Sequence, residues 1–150
     1  MKVADILRVK GSTLYTVSPD QSLAEAARTM AELDIGSLVV MEYGQLIGML
    51  TFREVIVATV AHGGVFGKTL VRSVMDDETL TCTPATELDE VRRMMLLQHA
   101  RYMPVLDRSV LMGVISFYDV AKAVVDGQDF ENRMLKAYIR DWPAEDKAAG

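Results

Sequence analysis

Twice in this chain a hydroxyl residue is followed three positions later by a carboxylate, Thr51 by Glu54 and Ser116 by Asp119. Each pair closes the same phrase, Leu46-Ile-Gly-Met-Leu-Thr-Phe-Arg-Glu-Val55 in one copy and Leu111-Met-Gly-Val-Ile-Ser-Phe-Tyr-Asp-Val120 in the other. The apolar run containing Gly48 or Gly113 reads as a strand, and the residues after the hydroxyl read as a helix, so the polar pair falls at the junction. The first turn of a helix leaves backbone N–H groups unpaired and carries the positive end of the dipole, which is why anions settle there. A hydroxyl at the cap and a carboxylate one turn later lie on the same side, placed to hold a phosphate and the hydroxyls of an adjoining sugar. The plainer reading is that Thr51 and Ser116 are N-caps and the acids complete capping boxes.

The elements that position these pairs come as an internal repeat, the pattern to settle first in any sequence. Residues 16–55 align without a gap on 81–120, with identities that include Thr16/Thr81, Pro19/Pro84, Leu23/Leu88, Gly48/Gly113 and Phe52/Phe117. In the first copy Ser22 and Glu25 make a capping box, and Leu23, Ala26, Ala27, Met30 and Leu33 follow at helical spacing. Residues 38–41 and 45–50 read as strands joined by a turn at Gly44, and a second helix is predicted over 52–61. The second copy gives a helix on Leu88, Val91, Met94 and Met95, strands at 102–106 and 110–115, and a helix from Phe117. The opening segment 3–7 resembles 71–75, so each repeat begins with a short apolar turn. Neither unit has the apolar area to close a core alone, and the two are expected to pack sheet against sheet. The sequence thus divides into a first repeat (1–61), a linker (62–70), a second repeat (71–126), an amphipathic helix (127–142) and a tail (143–150).

With 150 residues, 50% of them hydrophobic and 25% charged, the chain suits one compact domain or two small repeats. A net charge of −5 and the lack of a basic patch exclude a sequence-independent grip on nucleic acid. No apolar run approaches membrane-spanning length and no signal peptide is evident, so a cytoplasmic protein without membrane contact is expected. His62, His99 and the single cysteine, Cys82, stand at no metal-ligand spacing, and no metal is expected. Cys82 reads as a small buried filler. Gly67-Lys68-Thr69 invites comparison with a phosphate-binding loop, but His62 stands where that motif needs glycine and a helix precedes it instead of a strand. No nucleophile–base pair or paired catalytic carboxylate can be named, so no enzyme and no catalytic cofactor is expected.

Phe130, Met134, Leu135, Tyr138, Ile139 and Trp142 form a broad apolar stripe on the terminal helix, which Pro143 ends. Such a stripe either covers the protein's own core or meets a second copy; a homodimer is the expectation.

The doubled pattern, an opening Thr-x-x-Pro, an amphipathic helix, a hairpin with a Val-Val or Pro-Val step, and Gly-x-x-Thr/Ser-x-x-acid, resembles a pair of cystathionine-β-synthase (CBS) domains through about Val125. The terminal helix is similar to the tail of small stand-alone bacterial members. The resemblance implies an α+β fold of two pseudo-symmetric β-α-β-β-α units with packed sheets and two clefts. It also implies a sensor that binds an adenosine-containing ligand (AMP, ADP, ATP, NAD or S-adenosylmethionine), usually pairs into flat dimers and signals to an effector protein. The alternative is a ligand-free dimerisation or scaffold module with clefts closed by Phe117, Tyr118 and Tyr102.

Carried over by position, the resemblance assigns Asp119 to ribose, Ser116 to phosphate and Thr16, Val17, Ser18 and Pro19 to the adenine wall, with Ser37, Tyr102 and Arg101 nearby. The second cleft would use Thr51, Arg53, Glu54, Thr81, Cys82 and Thr83. Glu54 stands where the family pattern has Asp, and its extra methylene moves the carboxylate beyond hydrogen-bond tolerance, so the Asp119 cleft ranks first. Members often carry His or Arg where this chain has Tyr102, which donates a hydrogen bond but no charge; this favours AMP or a dinucleotide over a triphosphate.

Overall fold

A computed structural model describes residues 1–11 and 13–140 of the chain. A first helix, α1 (Val3–Lys10), precedes β1 (Thr16–Val17), α2 (Leu23–Leu33), β2 (Ser37–Glu42), β3 (Gln45–Thr51) and α3 (Phe52–Ala61). The second half follows with α4 (Val71–Val74), α5 (Leu88–Gln98), β4 (Tyr102–Asp107), β5 (Val110–Ser116) and α6 (Phe117–Arg140). Ser22 supplies its half of the expected capping box, its Oγ accepting from Glu25 N–H at 3.1 Å. Asp34 (φ 53°) and His99 (φ 54°) end α2 and α5 in the left-handed conformation. The N–H of Ile35 then reaches Met30 O at 3.0 Å, and that of Ala100 reaches Met95 O at 2.9 Å, so the last carbonyls are satisfied. His99 is thus a helix terminator.

Both hairpins turn on two successive left-handed residues, Tyr43 (φ 51°) with Gly44 (φ 76°), and Arg108 (φ 50°) with Ser109 (φ 69°). That geometry matches the twist of the flanking strands. In the first sheet β1 runs parallel to β2 and β2 antiparallel to β3. The second sheet is the β4–β5 hairpin alone. Its expected opening strand is reduced to one bridge, Cys82 to Val105. The cause is a proline: β1 is held in part by Val39 N–H on Tyr15 O at 3.1 Å, and the residue aligned with Val39 is Pro104, which has no N–H to give.

Two buried clusters form, one in each half, and each is closed by a helix from the other half. In the second half, Val3 and Ile6 of α1 pack with Cys82, Leu88, Val91, Met95, Met103, Val105, Ile115 and Val120. In the first half, Val71 of α4 packs with Val17, Leu23, Ala26, Met30, Leu38, Val40, Leu50 and Ala58. The backbone bonds repeat the exchange: Val3 N–H to Thr86 O (3.0 Å) and Ala4 N–H to Pro84 O (2.9 Å) answer Val71 N–H to Gln21 O (3.0 Å) and Arg72 N–H to Pro19 O (2.8 Å). The sequence order assigns α1 to the first repeat; in the fold it completes the second. The glycine of each echoed phrase receives the visiting segment. A Cβ on Gly113 would stand 2.8 Å from a Leu7 methyl, and one on Gly48 would stand 2.7 Å from Asp76 O. Val39 and Met49, partners across β2–β3, are buried yet in neither cluster. By strand alternation they face away from Leu38, Val40 and Leu50 of that cluster, so the first sheet is buried on both faces.

The helix expected to begin at Gly127 has no separate start. α6 runs unbroken for 24 residues, because a lone glycine weakens a helix by about 1 kcal/mol without ending it. Its Val120 is buried and Ala123 and Val124 lie against the second-half cluster, but Phe130, Leu135 and Ile139 are 61%, 57% and 58% exposed. Trp142, Pro143 and the tail lie outside the described residues.

Candidate functional site

Ser116 is the last residue of β5 and caps α6. Its N–H donates to Asp119 Oδ2 at 2.8 Å, and Asp119 N–H donates to Ser116 Oγ at 3.1 Å, a reciprocal capping box. A third partner comes from far along the chain. Lys10 Nζ, at the end of α1, donates to Asp119 Oδ2 at 2.7 Å and to Val114 O at 2.9 Å. Burial alone would push the Asp119 carboxyl up, but the Lys10 ammonium and the Ser116 bonds outweigh it and hold the group below the ordinary carboxylate value.

Two adjoining cavities share Lys10 and Tyr102. The first, about 260 Å³, lies between the halves, walled by Thr13, Leu14, Tyr15, Ile35, Gly36 and Ser37 from the first half and by Tyr102 and Val114 from the second. The second, about 530 Å³, is completed by Arg101, Ser116, Phe117 and Tyr118. The first falls a little below the roughly 300–1,000 Å³ of small-molecule sites, and the second falls within it. Tyr102 reaches across the boundary, and a Cβ on Gly36 would collide with its hydroxyl.

Of the residues singled out from sequence, Ser37 and Tyr102 line the first cavity, and Arg101, Tyr102 and Ser116 the second, with Asp119 joined to both through Lys10. Thr16, Val17, Ser18 and Pro19 are not among the linings of either. Val17 is buried in the first-half cluster, Thr16 pairs with Val39, Ser18 Oγ accepts from Asp20 N–H at 3.3 Å, and Pro19 O holds α4 through Arg72. Their neighbours Thr13 to Tyr15 form the wall instead.

At the other junction Glu54 is turned inward, 8% exposed. Its Oε1 accepts from both Thr51 N–H (3.0 Å) and Thr51 Oγ1–H (2.8 Å), and Arg53 stands 3.8 Å from Oε2. Like Asp119, this carboxylate folds back on the N–H of its own cap, and it takes the cap's hydroxyl proton as well. Thr81 is half-buried, and Thr83 Oγ1 lies 3.1 Å from Thr86 Oγ1. Cys82 is buried with its thiol pushed up to about 12 by desolvation. Among the described residues no group of three His, Cys, Asp or Glu could hold a metal ion, and no helix is long and apolar enough to cross a membrane.

Lys10, Tyr15 and Gly36 escaped the sequence reading. Gly36 and Ser37 align with Arg101 and Tyr102, so the repeat itself carried a signal for the first pair. Nothing local pointed from Lys10 to Asp119, which lie 109 residues apart.

The CBS domain family model matches residues 3–60 and 71–126. The chain belongs to the CBS-domain family. Among its relatives is the CBS domain-containing protein YhcV of Bacillus subtilis, 36% identical over 106 residues, or 71% of this chain and 75% of that one. The crystal structure of a CBS-domain containing protein from Agrobacterium tumefaciens superposes with a TM-score of 0.78 at 32% identity, covering 82% of this chain and 98% of its own. Two more distant CBS structures share the fold and hold ligands. CBSX2, solved with AMP, gives a TM-score of 0.71 at 22% identity, covering 85% of this chain and 98% of its own. The CBS pair of MJ0100, solved with 5′-methylthioadenosine and S-adenosyl-L-methionine, gives 0.74 at 21% identity, covering the same shares, 85% and 98%.

Proposed function

We propose that this CBS pair is a non-catalytic regulatory module of the cytoplasm that binds an adenosine-containing ligand (AMP, ADP, ATP or NAD) in the Asp119 cleft. Its occupancy is passed through a homodimer to an effector protein. The observation that carries this reading is the convergence of complementary groups at one cleft: the carboxylate of Asp119, the hydroxyl of Ser116 at the start of α6, the cations Lys10 and Arg101, and the rings of Tyr15 and Tyr102. Ribose hydroxyls donate to a carboxylate, helix N–H groups and cations donate to phosphate, and aromatic faces stack on a base. The AMP in CBSX2 and the nucleosides in the MJ0100 pair support the ligand class. Two cations and a neutral Tyr102 suit AMP or a dinucleotide better than a triphosphate.

Calorimetry and thermal melting with AMP, ADP, ATP, NAD and S-adenosylmethionine test it, with binding expected at micromolar to submillimolar strength. Absence of both heat and melting shift would leave the rival reading, a ligand-free dimerisation module. That rival has its own observation: Tyr102 packed on Gly36, and Lys10 seated on Asp119, fill the cleft from within. Native mass spectrometry of the freshly purified protein separates the two by revealing any retained nucleotide.

A further inference from the structure

The geometry points to Lys10 as a two-position residue that makes the Asp119 cleft selective for nucleotides over nucleosides: it neutralises Asp119 in the empty cleft and turns to the ligand's phosphate when ribose takes the carboxylate. This rests on the nucleotide reading above. Lys10 is the one residue that lines both cavities and also binds the carboxylate, through Nζ at 2.7 Å from Asp119 Oδ2 (Tyr102, the other shared wall, brings no charge). Its side chain is 41% exposed, and its flexible stem and three donors allow the ammonium to swing without moving α1. An uncharged nucleoside must displace the ammonium and offers it no anion in return. A ligand with a phosphate supplies that anion in the same space, beside Arg101 and the start of α6. In sequence register α4 matches α1, with Val71 at the place of Val3, and the residue at the place of Lys10 is Glu78, beyond the end of α4 at Val74; the repeat therefore supplies no second lysine at that position.

The test is titration of the wild-type chain, Lys10→Met and Lys10→Arg with AMP and with adenosine. Lys10→Met is expected to bind AMP about tenfold more weakly, having lost a charge-assisted hydrogen bond, and adenosine about threefold more tightly, having released Asp119 from a partly exposed ion pair. Lys10→Arg should keep the wild-type preference for AMP. Equal or same-direction changes for the two ligands in Lys10→Met overturn the inference while leaving the nucleotide reading intact. If the wild-type chain binds neither ligand, that reading falls and this one with it. Melting curves verify folding, and Lys10→Gln, which retains a polar end, replaces Lys10→Met if the latter does not fold.

Discussion

Asp119 and Glu54 are aligned acids with opposite surroundings. Asp119 reaches the cleft wall through Lys10 and keeps a side chain 18% exposed, whereas both N–H and O–H of Thr51 converge on Glu54 Oε1 inside the fold. Replacing Asp119 by Ala is therefore expected to weaken nucleotide binding by about 1.5–3 kcal/mol, the worth of a charged hydrogen bond. Glu54→Ala should leave affinity within about twofold but lower stability by about 1 kcal/mol through the lost cap. Calorimetry and denaturant melts of the two variants decide it, and equal losses of affinity would refute the ranking of the clefts. Cys82 provides a second check. Only the thiolate attacks an alkylating reagent, and burial raises this thiol to about 12, so the native chain should resist iodoacetamide up to pH 9 while the unfolded chain reacts readily. Mass spectrometry after timed exposure reads the difference.

Among the elements, the β4–β5 turn is the one whose sequence fits least well. Arg108 and Ser109 both take left-handed angles without a glycine, where the β2–β3 turn has Gly44. A side chain in that region costs about 1–2 kcal/mol, part of which glycine returns as unfolded-state entropy. Ser109→Gly should thus stabilise the protein by about 0.5–1 kcal/mol, measured as a shift in denaturant midpoint with unchanged slope. The β2–β3 turn was legible from Gly44 and the β4–β5 turn from the spacing of the apolar runs alone, and helix α3 falls where its pattern predicts. The shortened opening strand of the second sheet was legible in principle, since Pro104 stands in the sequence, but only once one asks which N–H holds β1. The exchange of α1 and α4 was not legible. The apolar positions Val3, Ile6 and Val71 state that each helix buries a face, and the same pattern fits either half. The site inherits that gap: Ser116 and Asp119 follow from the repeat, whereas Lys10 arrives only with the exchanged helix.

At the scale of the whole molecule, α6 extends about 36 Å at 1.5 Å per residue, and its second half carries Phe130, Met134, Leu135, Tyr138 and Ile139 at 57–61% exposure. Burying each such side chain is worth roughly 1.5–3 kcal/mol, ample for a symmetric pairing of two copies. Truncation after Asp126 should therefore turn a dimer into a monomer at low micromolar concentration with the repeats still folded. Light scattering would read it, and an unchanged dimer would move the contact to the exposed Ile56, Val57 and Val60 of α3. The exchanged helices bear on a different matter, the order in which the molecule is made. The first-half cluster needs nothing beyond α4, so it can close once Asp76 has left the ribosome. α1 is synthesised before every other described element, yet its seat on Leu88, Met103 and Val120 emerges only after the first-half cluster can have closed. That helix must wait, tethered to an already folded half, to complete the core of the other.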